Sequence, residues 1–435
     1  MEKREYYTRV FEKLKRTFEP THYVLAYGSD LRLRDIAQRR SPRKENDLMV
    51  TVETKENLYD LTSNWGLEVF SPLIAYQSQG VLSVLDFEIA LDDQRRLYEN
   101  KGSQLYYFNE YIKSFVKFIG RKLEHFNIPY ALDLTPSGGH FLFWVRNNTP
   151  EWNELQKLGS LEEDLITAYN YFDPNDLKRN PRINLDAGYV YSGIGRLWEY
   201  ICYEVIKNVK TGHKGLPVTM SDPEQKSVNL DISCYGDPAF MRIIRTPFSL
   251  HKKRSKYIQG AEPLADVMFC DHTNPRREIN FDHHIDCMWD LELAVQHSES
   301  FSGYIPYANE NLIPLINEYR QSQLFIFHEE FFGEKDLPRQ EAFTKALRDN
   351  RLHEKTRNML YYPNPRALDP KTLLKFIADL RSHEWRPREI GNLIADLYEQ
   401  PQHSWNNNWY KYPSRTKGNF WSRIYCGLLN ERVIS

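Results

Sequence analysis

Two acidic residues, Asp86 and Glu88, stand one residue apart in the apolar run VLSVLDFEIAL. The run predicts a β-strand, and residues i and i+2 of a strand point to the same face of its sheet. Neighbouring carboxylates repel each other unless a cation lies between them, and Mg²⁺ binds such pairs together with substrate phosphates. Taken alone, the pair favours acids on a solvent-exposed strand face, where this spacing is common, over a metal site.

A second motif is the short segment Ser137-Gly138-Gly139-His140, which follows one apolar run and opens another. The glycines predict a tight turn, Thr135 to Gly139, whose exposed backbone N–H groups suit phosphate oxygens. Ser137 adds a hydroxyl donor, and His140 can donate to an anionic oxygen. A plain hairpin turn followed by a strand histidine is the alternative interpretation.

The third motif is DISCYGDPAFMRIIRTPFSLHKK, residues 231–253. Asp231 lies on the predicted strand VNLDISC, and the segment Asp237 to Arg245 is predicted to form a short helix. The segment that follows Asp231 contains five residues whose side chains suit phosphate: Arg242, Arg245, Ser249, His251 and Lys253. A strand carboxylate followed by such donors favours a metal–nucleotide site over a solvated loop.

The order of the three motifs matches the parts that phosphoryl transfer needs. That reaction depends mainly on positioning and on neutralising charge. Two cations held by three carboxylates can activate an attacking 3′-hydroxyl and stabilise the leaving pyrophosphate. The basic and hydroxyl side chains would then hold the triphosphate.

Together the motifs resemble the signature set of the archaeo-eukaryotic primase superfamily: an Asp-x-Asp or Asp-x-Glu strand, a Ser-x-His-type motif, and a strand Asp followed by an R-x-P-x-S-x-H-x-K-style segment. The resemblance covers roughly residues 1–260 and is dense around the motifs. It implies that Asp86, Glu88 and Asp231 are catalytic residues and ligands of Mg²⁺ or Mn²⁺. It also implies a nucleotide-binding set, with Lys253 as a further donor: Ser137, Gly138, His140, Arg245, Ser249 and His251.

By this resemblance the activity is template-directed nucleotidyl transfer, with primer synthesis or extension on single-stranded DNA and nucleoside triphosphates as substrates. The sequence departs from the family where Glu88 replaces the second Asp and where the turn before His140 is short. A metal-dependent nuclease and an inactive nucleic-acid-binding module remain the alternatives. No P-loop motif is present, so any helicase or other replication protein would be a separate partner.

The elements that must position these residues form an α+β pattern. The resemblance implies a primase-like core with an RRM-like antiparallel or mixed sheet. Helices are predicted over residues 4–18, 105–126 and 195–209, and strands over residues 23–27, 81–91, 129–134, 140–146 and 228–234. Residues 1–300 are interpreted as the catalytic core, 301–334 as a linker or connecting helices, and 335–435 as a small helical accessory domain.

Two further groups of residues have open interpretations. Cys270, His272, His283, His284 and Cys287 include zinc-ligand types, but their irregular separation favours ordinary polar loops over a zinc site. The C-terminal stretch HSWNNNWYKYPSRTKGNFWSRI interleaves aromatic and basic residues. It suits single-strand binding or the core of a small domain.

The bulk composition is that of an ordinary globular protein, with 27% charged residues and a net charge of −2. This charge is mild evidence against a nucleic-acid binder, although clustered acids can offset a basic groove. The five cysteines show no disulfide spacing, no apolar run approaches the roughly 20 residues that span a bilayer, and the charged N-terminus does not predict a secretory signal. We therefore expect a cytoplasmic protein without a membrane partner.

Overall fold

The computed structural model describes residues 1–18, 23–27, 39–40, 48–52, 55–64, 66, 68–74, 80–170, 184–210, 216–221, 226–236, 243–271, 278–361, 370–400 and 414–430. The strands are β1 (Tyr23–Tyr27), β2 (Arg39–Arg40), β3 (Leu48–Val52), β4 (Glu68–Pro72), β5 (Gly80–Ala90), β6 (Ala131–Thr135), β7 (Gly138–Arg146), β8 (Val218–Met220), β9 (Ser227–Asp231), β10 (Ile243–Arg245), β11 (Leu250–His251), β12 (Leu264–Ala265) and β13 (Val267–Cys270).

The helices are α1 (Lys3–Leu14), α2 (Lys55–Tyr59), α3 (Arg96–Glu99), α4 (Lys101–Tyr107), α5 (Lys113–His125), α6 (Pro150–Leu158), α7 (Glu163–Asn170), α8 (Leu185–Asn208), α9 (Lys253–Tyr257), α10 (Asp282–Trp289), α11 (Leu291–Ser298), α12 (Leu312–Arg320), α13 (Gln323–Gly333), α14 (Glu341–Arg348), α15 (Glu354–Tyr361), α16 (Pro370–Ser382), α17 (Pro387–Glu399) and α18 (Ser414–Asn430). A π-helical segment, Phe108–Ile112, joins α4 to α5. The helix predicted over residues 105–126 is therefore present but has two α-helical parts.

The central feature is a six-stranded sheet with the order β13-β6-β7-β5-β9-β8. Its neighbouring strands are antiparallel except β8 and β9, which run parallel. A mixed sheet with helices confirms the predicted α+β class, whereas the RRM-like arrangement stays a prediction.

Strand β5 presents two chemically different faces. Phe87 packs edge to face on Phe115 of α5, with ring centroids 4.8 Å apart, and Trp198 of α8 donates a hydrogen bond to Ser83 over 2.8 Å. Ser83 and Phe87 share one face of the strand because they are four residues apart. Helices α5 and α8 therefore cover one face of the sheet, and Asp86 and Glu88 project from the other.

A second sheet has the order β10-β4-β1-β3-β2. The helix predicted from Asp237 to Arg245 is wrong at its end. Ile243–Arg245 is instead an extended edge strand, β10, which pairs antiparallel with β4. Two consecutive β-branched residues favour this extended conformation. Residues 237–242, the rest of the predicted helix, lie outside the described part of the chain.

The C-terminal helices pack on the sheet-containing part. Apolar residues at helical spacing are buried in both α16 and α17: Leu373, Phe376 and Leu380, and Ile390, Leu393 and Leu397. The Tyr203 hydroxyl of α8 donates to the Ile424 carbonyl of α18 over 2.9 Å. The proposed boundaries between core, linker and accessory domain remain predictions.

The segment after residue 300 returns to the central sheet. The Trp144 N–H donates to the Pro306 carbonyl over 2.8 Å, and the Ala308 N–H donates to the Trp144 carbonyl over 2.9 Å. The pairing of β7 with β6 stops at Leu142. Beyond that point, these bonds satisfy the backbone N–H and carbonyl of Trp144. Part of the predicted linker is thus an added edge of the sheet.

Within the described ranges, no helix combines the length and the apolar character needed to cross a membrane.

Candidate active site

The three predicted metal-binding carboxylates lie together on the open face of the central sheet. Asp86 is paired in register with Asp231 on β9 and with His140 on β7. Directly opposed residues of neighbouring strands share a face and have their Cβ atoms about 5 Å apart. Glu88 lies two residues further along the same face, while Leu85, Phe87 and Ile89 between and beside the acids are buried. Strand register therefore builds the acidic cluster from two separate motifs.

Each carboxylate is partly accessible. The side chain of Asp86 is 35% exposed and that of Glu88 is 30% exposed. Asp231 accepts a hydrogen bond from the Ser233 N–H over 2.9 Å through its Oδ1 atom. A ligand approaching the sheet from this side can reach all three acids.

His140 is fixed by a carboxylate that the sequence did not single out. Asp133 of β6 lies opposite His140 in the strand register, and its Oδ1 is 3.1 Å from Nδ1 of the histidine. The other ring nitrogen, Nε2, is 3.6 Å from Oδ1 of Asp86. Burial lowers the pKa of His140, but Asp133 and Asp86 outweigh it and raise that pKa to about 9. The ring is therefore a cationic donor directed at the acidic cluster.

Lys253 brings the third motif to the first two. Its Nζ lies 3.0 Å from Oε2 of Glu88 and 3.5 Å from the hydroxyl of Ser137. Burial lowers the pKa of Lys253, but the charge of Glu88 exceeds this effect and raises it. Lys253 is thus a fixed cation between the metal-type carboxylates and the predicted phosphate-binding serine.

The cluster has three carboxylates, Asp86, Glu88 and Asp231, against two neighbouring cations, His140 and Lys253. Burial raises the pKa of Asp86 to about 7; the charge of His140 opposes this rise, and Glu88 and Asp231 add to it. Three oxygen ligands on one face with an excess of negative charge fit Mg²⁺ or Mn²⁺ by donor type. The residues present therefore suit the cation that the sequence predicts.

Gly138 and Gly139 lie in β7 rather than in an open turn. The connecting turn is limited to Pro136 and Ser137, and Gly138 is paired with Thr135 on one side and Glu88 on the other. A Cβ atom on Gly138 would lie 1.8 Å from the Phe87 carbonyl oxygen. Close packing of the strands therefore requires glycine at this position. The predicted contact of Gly138 with phosphate remains a prediction, and it would have to be made by a residue that is paired on both sides within the sheet.

Arg245 is held away from solvent by two acids. Its Nη2 donates to Oε1 of Glu68 over 2.9 Å, and its Nε is 3.9 Å from Oδ2 of Asp266. Burial disfavours the charge, but Glu68 and Asp266 raise the pKa of Arg245 above its usual value. A triphosphate would have to compete with Glu68 for this guanidinium, so the nucleotide-binding role of Arg245 remains a prediction.

Ser249 and His251 are both buried. The Ser249 hydroxyl accepts from the Val69 N–H over 2.8 Å, which ties this segment to β4. Nδ1 of His251 accepts from the Lys253 N–H over 3.1 Å, and burial together with the charges of Arg245 and Lys253 holds the pKa of His251 well below its usual range. In this arrangement Ser249 is engaged by the backbone, and His251 is a neutral neighbour of Lys253.

Sequence reasoning missed Asp133, Glu68 and Asp266. Asp133 is fully buried in the run PYALDL, and an acid within an apolar strand was the signal that could have revealed it. Asp266, in the apolar run LADVMF, carried the same signal. The pairing of Glu68 and Asp266 with Arg245 could not be predicted, because it depends on contacts across long sequence separations.

The remaining predicted groups are only partly described. Phe420 and Trp421 of the C-terminal aromatic–basic stretch are buried in α18, which favours the core interpretation for this half. Trp405, Trp409, Tyr410 and Tyr412 lie outside the described residues, as do Arg242 and His272.

Comparisons with known proteins give little further information. No protein-family model matches the chain, and no curated protein matches it. Among solved structures, the chain is similar to the polymerase domain of ligase D from Mycobacterium tuberculosis in complex with DNA. The two share 10% sequence identity with a TM-score of 0.39, over 72% of this chain and 91% of that chain. At this level the likeness carries no argument about function.

Proposed function

We propose that this protein is a template-directed nucleotidyl transferase that synthesises or extends primers on a DNA template. The observation that carries the proposal is the strand register that places Asp231 opposite Asp86, with Glu88 on the same face and Lys253 bridging toward Ser137. A generic metal site needs the acids alone. The fixed cations around them suit a substrate that brings its own negative charge, as a nucleoside triphosphate does.

Each group has a defined task in this reaction. Mg²⁺ or Mn²⁺ held by Asp86, Glu88 and Asp231 would supply activation of the 3′-hydroxyl and neutralisation of the phosphates. Lys253 and the Ser137 hydroxyl would bind phosphate oxygens, and His140 would donate from Nε2. Helices α5 and α8 pack on the opposite face of the strands that carry these groups.

The direct test is incubation of the full chain with single-stranded DNA, labelled ribo- or deoxynucleoside triphosphates and Mn²⁺. We expect labelled product from the wild type. We expect Asp86→Asn to lower product formation by about a hundred-fold or more, because it removes a charged group that acts on the reacting phosphates. Asp92→Asn is the matched control, since Asp92 is an exposed acid just beyond the same strand.

The absence of labelled product with both sugar types would sink the proposal. Degradation of the DNA without added nucleotides, lost in Asp86→Asn but not in Asp92→Asn, would instead assign a nuclease to the same acids.

A further inference from the structure

Helices α10 and α11 bring three metal-ligand side chains together at the edge of the central sheet. His283 and Cys287 lie four residues apart on α10, and His297 lies on α11. The potential ligand atoms of the three residues all lie within 4.8 Å of one another. The grouping differs from the one considered in the sequence, since Cys270 and His284 do not belong to it and His272 lies outside the described residues.

Two of the three separations match those between ligands of one tetrahedral zinc ion, and the third, between Cys287 and His297, is within 4.8 Å. Nε2 of His283 is 3.2 Å from Nδ1 of His297 and 3.5 Å from Sγ of Cys287. Zinc–nitrogen bonds of about 2.1 Å and zinc–sulfur bonds of about 2.3 Å place two nitrogens about 3.4 Å apart and a nitrogen and a sulfur about 3.6 Å apart in a tetrahedron. A small rotation of the side chains would therefore be enough to bind the ion.

The hydrogen bonding of His297 also suits a metal ligand. Its Nε2 lies 2.8 Å from the Met268 carbonyl oxygen. Because a carbonyl can only accept, the ring proton is on Nε2, and the lone pair of Nδ1 is directed at Nε2 of His283, 3.2 Å away. Histidine ligands of zinc commonly donate their other N–H to a backbone carbonyl in this way.

We propose that His283, Cys287 and His297 form a Zn²⁺ site distinct from the carboxylate cluster. Cys287 and His297 are buried, whereas His283 is exposed, so a water molecule would complete the coordination from the solvent side. A thiolate and two imidazoles favour zinc over Mg²⁺ or Mn²⁺, which prefer oxygen ligands. The ion would fasten α10 and α11 to β13, whose Met268 carbonyl supports His297.

The test measures metal binding by the full chain, without reference to nucleotide addition. The protein in an Asp86→Asn background, which weakens the carboxylate cluster, is stripped with a chelator and titrated with Co²⁺. We expect one tightly bound equivalent and a thiolate-to-cobalt charge-transfer band, and we expect Zn²⁺ to displace the cobalt.

His283→Gln is expected to weaken metal binding about a hundred-fold or more, since loss of a supporting group alone costs about 10–100-fold. His283 is exposed, so this variant should fold, and His125→Gln supplies the same change at another exposed histidine. Cys287→Ser should abolish the charge-transfer band. The absence of a charge-transfer band in the parent protein, or equally tight metal binding by His283→Gln, would overturn the proposal. The contact between His283 and His297 would then be a hydrogen bond without a metal.

Discussion

At the scale of single residues, the orientation of His140 depends on Asp133. The Asp133 carboxylate is fully buried and lies 3.1 and 3.2 Å from Nδ1 of the histidine through its two oxygens. With Nδ1 held in this way, Nε2 can point only toward Asp86. Asp133 is therefore a positioning residue that acts through His140.

We expect Asp133→Asn to reduce the kcat of nucleotide addition about 10–100-fold, as losses of supporting groups commonly do. The nucleotide KM should change much less, because Lys253 and Ser137 are unaffected. Steady-state kinetics of the variant, with Asp92→Asn as control and thermal unfolding to verify the fold, measure the effect. An unchanged kcat would assign Asp133 a role in packing alone.

The residues of the site differ in how far the sequence could predict them. Asp86, Glu88 and Asp231 stand in recognisable motifs, and the structure brings them together. Asp133 and Glu68 stand in no motif, since their function arises from the register of β6 against β7 and from the contact of β4 with Arg245. Such pairings depend on which strands are neighbours, which one sequence does not specify.

At the scale of elements, the start of β7 is packed against β5 more closely than any side chain allows. The Cβ atom that alanine would add at Gly138 meets the Phe87 carbonyl oxygen at 1.8 Å, and at Gly139 it meets the Asp133 carbonyl oxygen at 2.3 Å. Backbone atoms cannot move aside without separating the strands. The close approach fixes the spacing between the carboxylates of β5 and the histidine of β7.

Gly138→Ala is expected to lower the free energy of unfolding by about 3 kcal/mol, because the methyl group overpacks the sheet. Gly333→Ala is the matched control, since no atom lies within 4 Å of its added Cβ, and its change should stay within about 0.5 kcal/mol. Urea denaturation of both variants gives the comparison. Equal stabilities would contradict the close packing of β7.

Helix α1 holds the segment that carries Ser249 and His251. The Tyr6 hydroxyl donates to the Phe248 carbonyl, and the Leu250 N–H donates to the Tyr7 hydroxyl, each over 3.0 Å. Phe248 has a φ of 66°, which is unfavourable for a bulky residue. The two tyrosines therefore help to maintain a turn that the chain alone would not favour.

Tyr7→Phe should destabilise the protein by about 1–3 kcal/mol, because it leaves the buried Leu250 N–H without its acceptor. Tyr59→Phe removes the hydroxyl of an exposed tyrosine and should have little effect. Thermal or urea unfolding distinguishes the two. If Tyr7→Phe proved as stable as Tyr59→Phe, the hydroxyl would have no part in holding the turn.

The elements were predicted best where the apolar pattern was strong. The strand around Asp86 and the first helix agree with the structure within one or two residues, apart from a 3₁₀ turn, Lys15–Phe18, that ends the helix. The prediction failed at residues 243–245, where pairing with β4 determined the conformation, and it placed the glycines of β7 in a turn because a glycine pair is typical of one. At both places the local sequence favours one backbone conformation and pairing with a neighbouring strand favours another, and the structure adopts the one that the pairing favours.

At the scale of the whole molecule, a buried polar network links the C-terminal helices to α8. Nε2 of His328 lies 2.9 Å from Oε1 of Glu199, and Arg423 donates to Oε2 of the same carboxylate over 3.1 Å. The Tyr319 hydroxyl lies 2.5 Å from Nδ1 of His328 and accepts from Arg196 over 2.9 Å. A neutral His328 satisfies every one of these contacts.

This network predicts a loss of stability in mild acid. Burial lowers the pKa of His328 to about 4, against the opposing effect of Glu199, while the unfolded chain titrates near 6.5. Between these values the unfolded state binds more protons, so the free energy of unfolding falls as the pH falls. Burial raises the pKa of Glu199, but His328 and Arg423 lower it to about 2. Glu199 therefore adds a further loss below about pH 4.5.

We expect the titration of His328 to lower the free energy of unfolding by about 2 kcal/mol between pH 7 and pH 5, measured by urea denaturation at the two pH values. His328→Gln keeps a donor for Glu199 but cannot titrate, so its stability should fall less over the same interval. His125→Gln, at an exposed position, should behave like the wild type. The same pH dependence in all three proteins would show that His328 does not titrate in this range.

The hydrogen bonds of residues 306–308 to the end of β7 limit where the chain can be divided. Because Pro306 and Ala308 satisfy the backbone of Trp144, a fragment that stopped at residue 300 would present an open strand end to other molecules. Such ends invite association between copies. Any exchange of the helices that follow would therefore have to keep residues 306–308, because these residues complete the backbone hydrogen bonding at the border of the sheet.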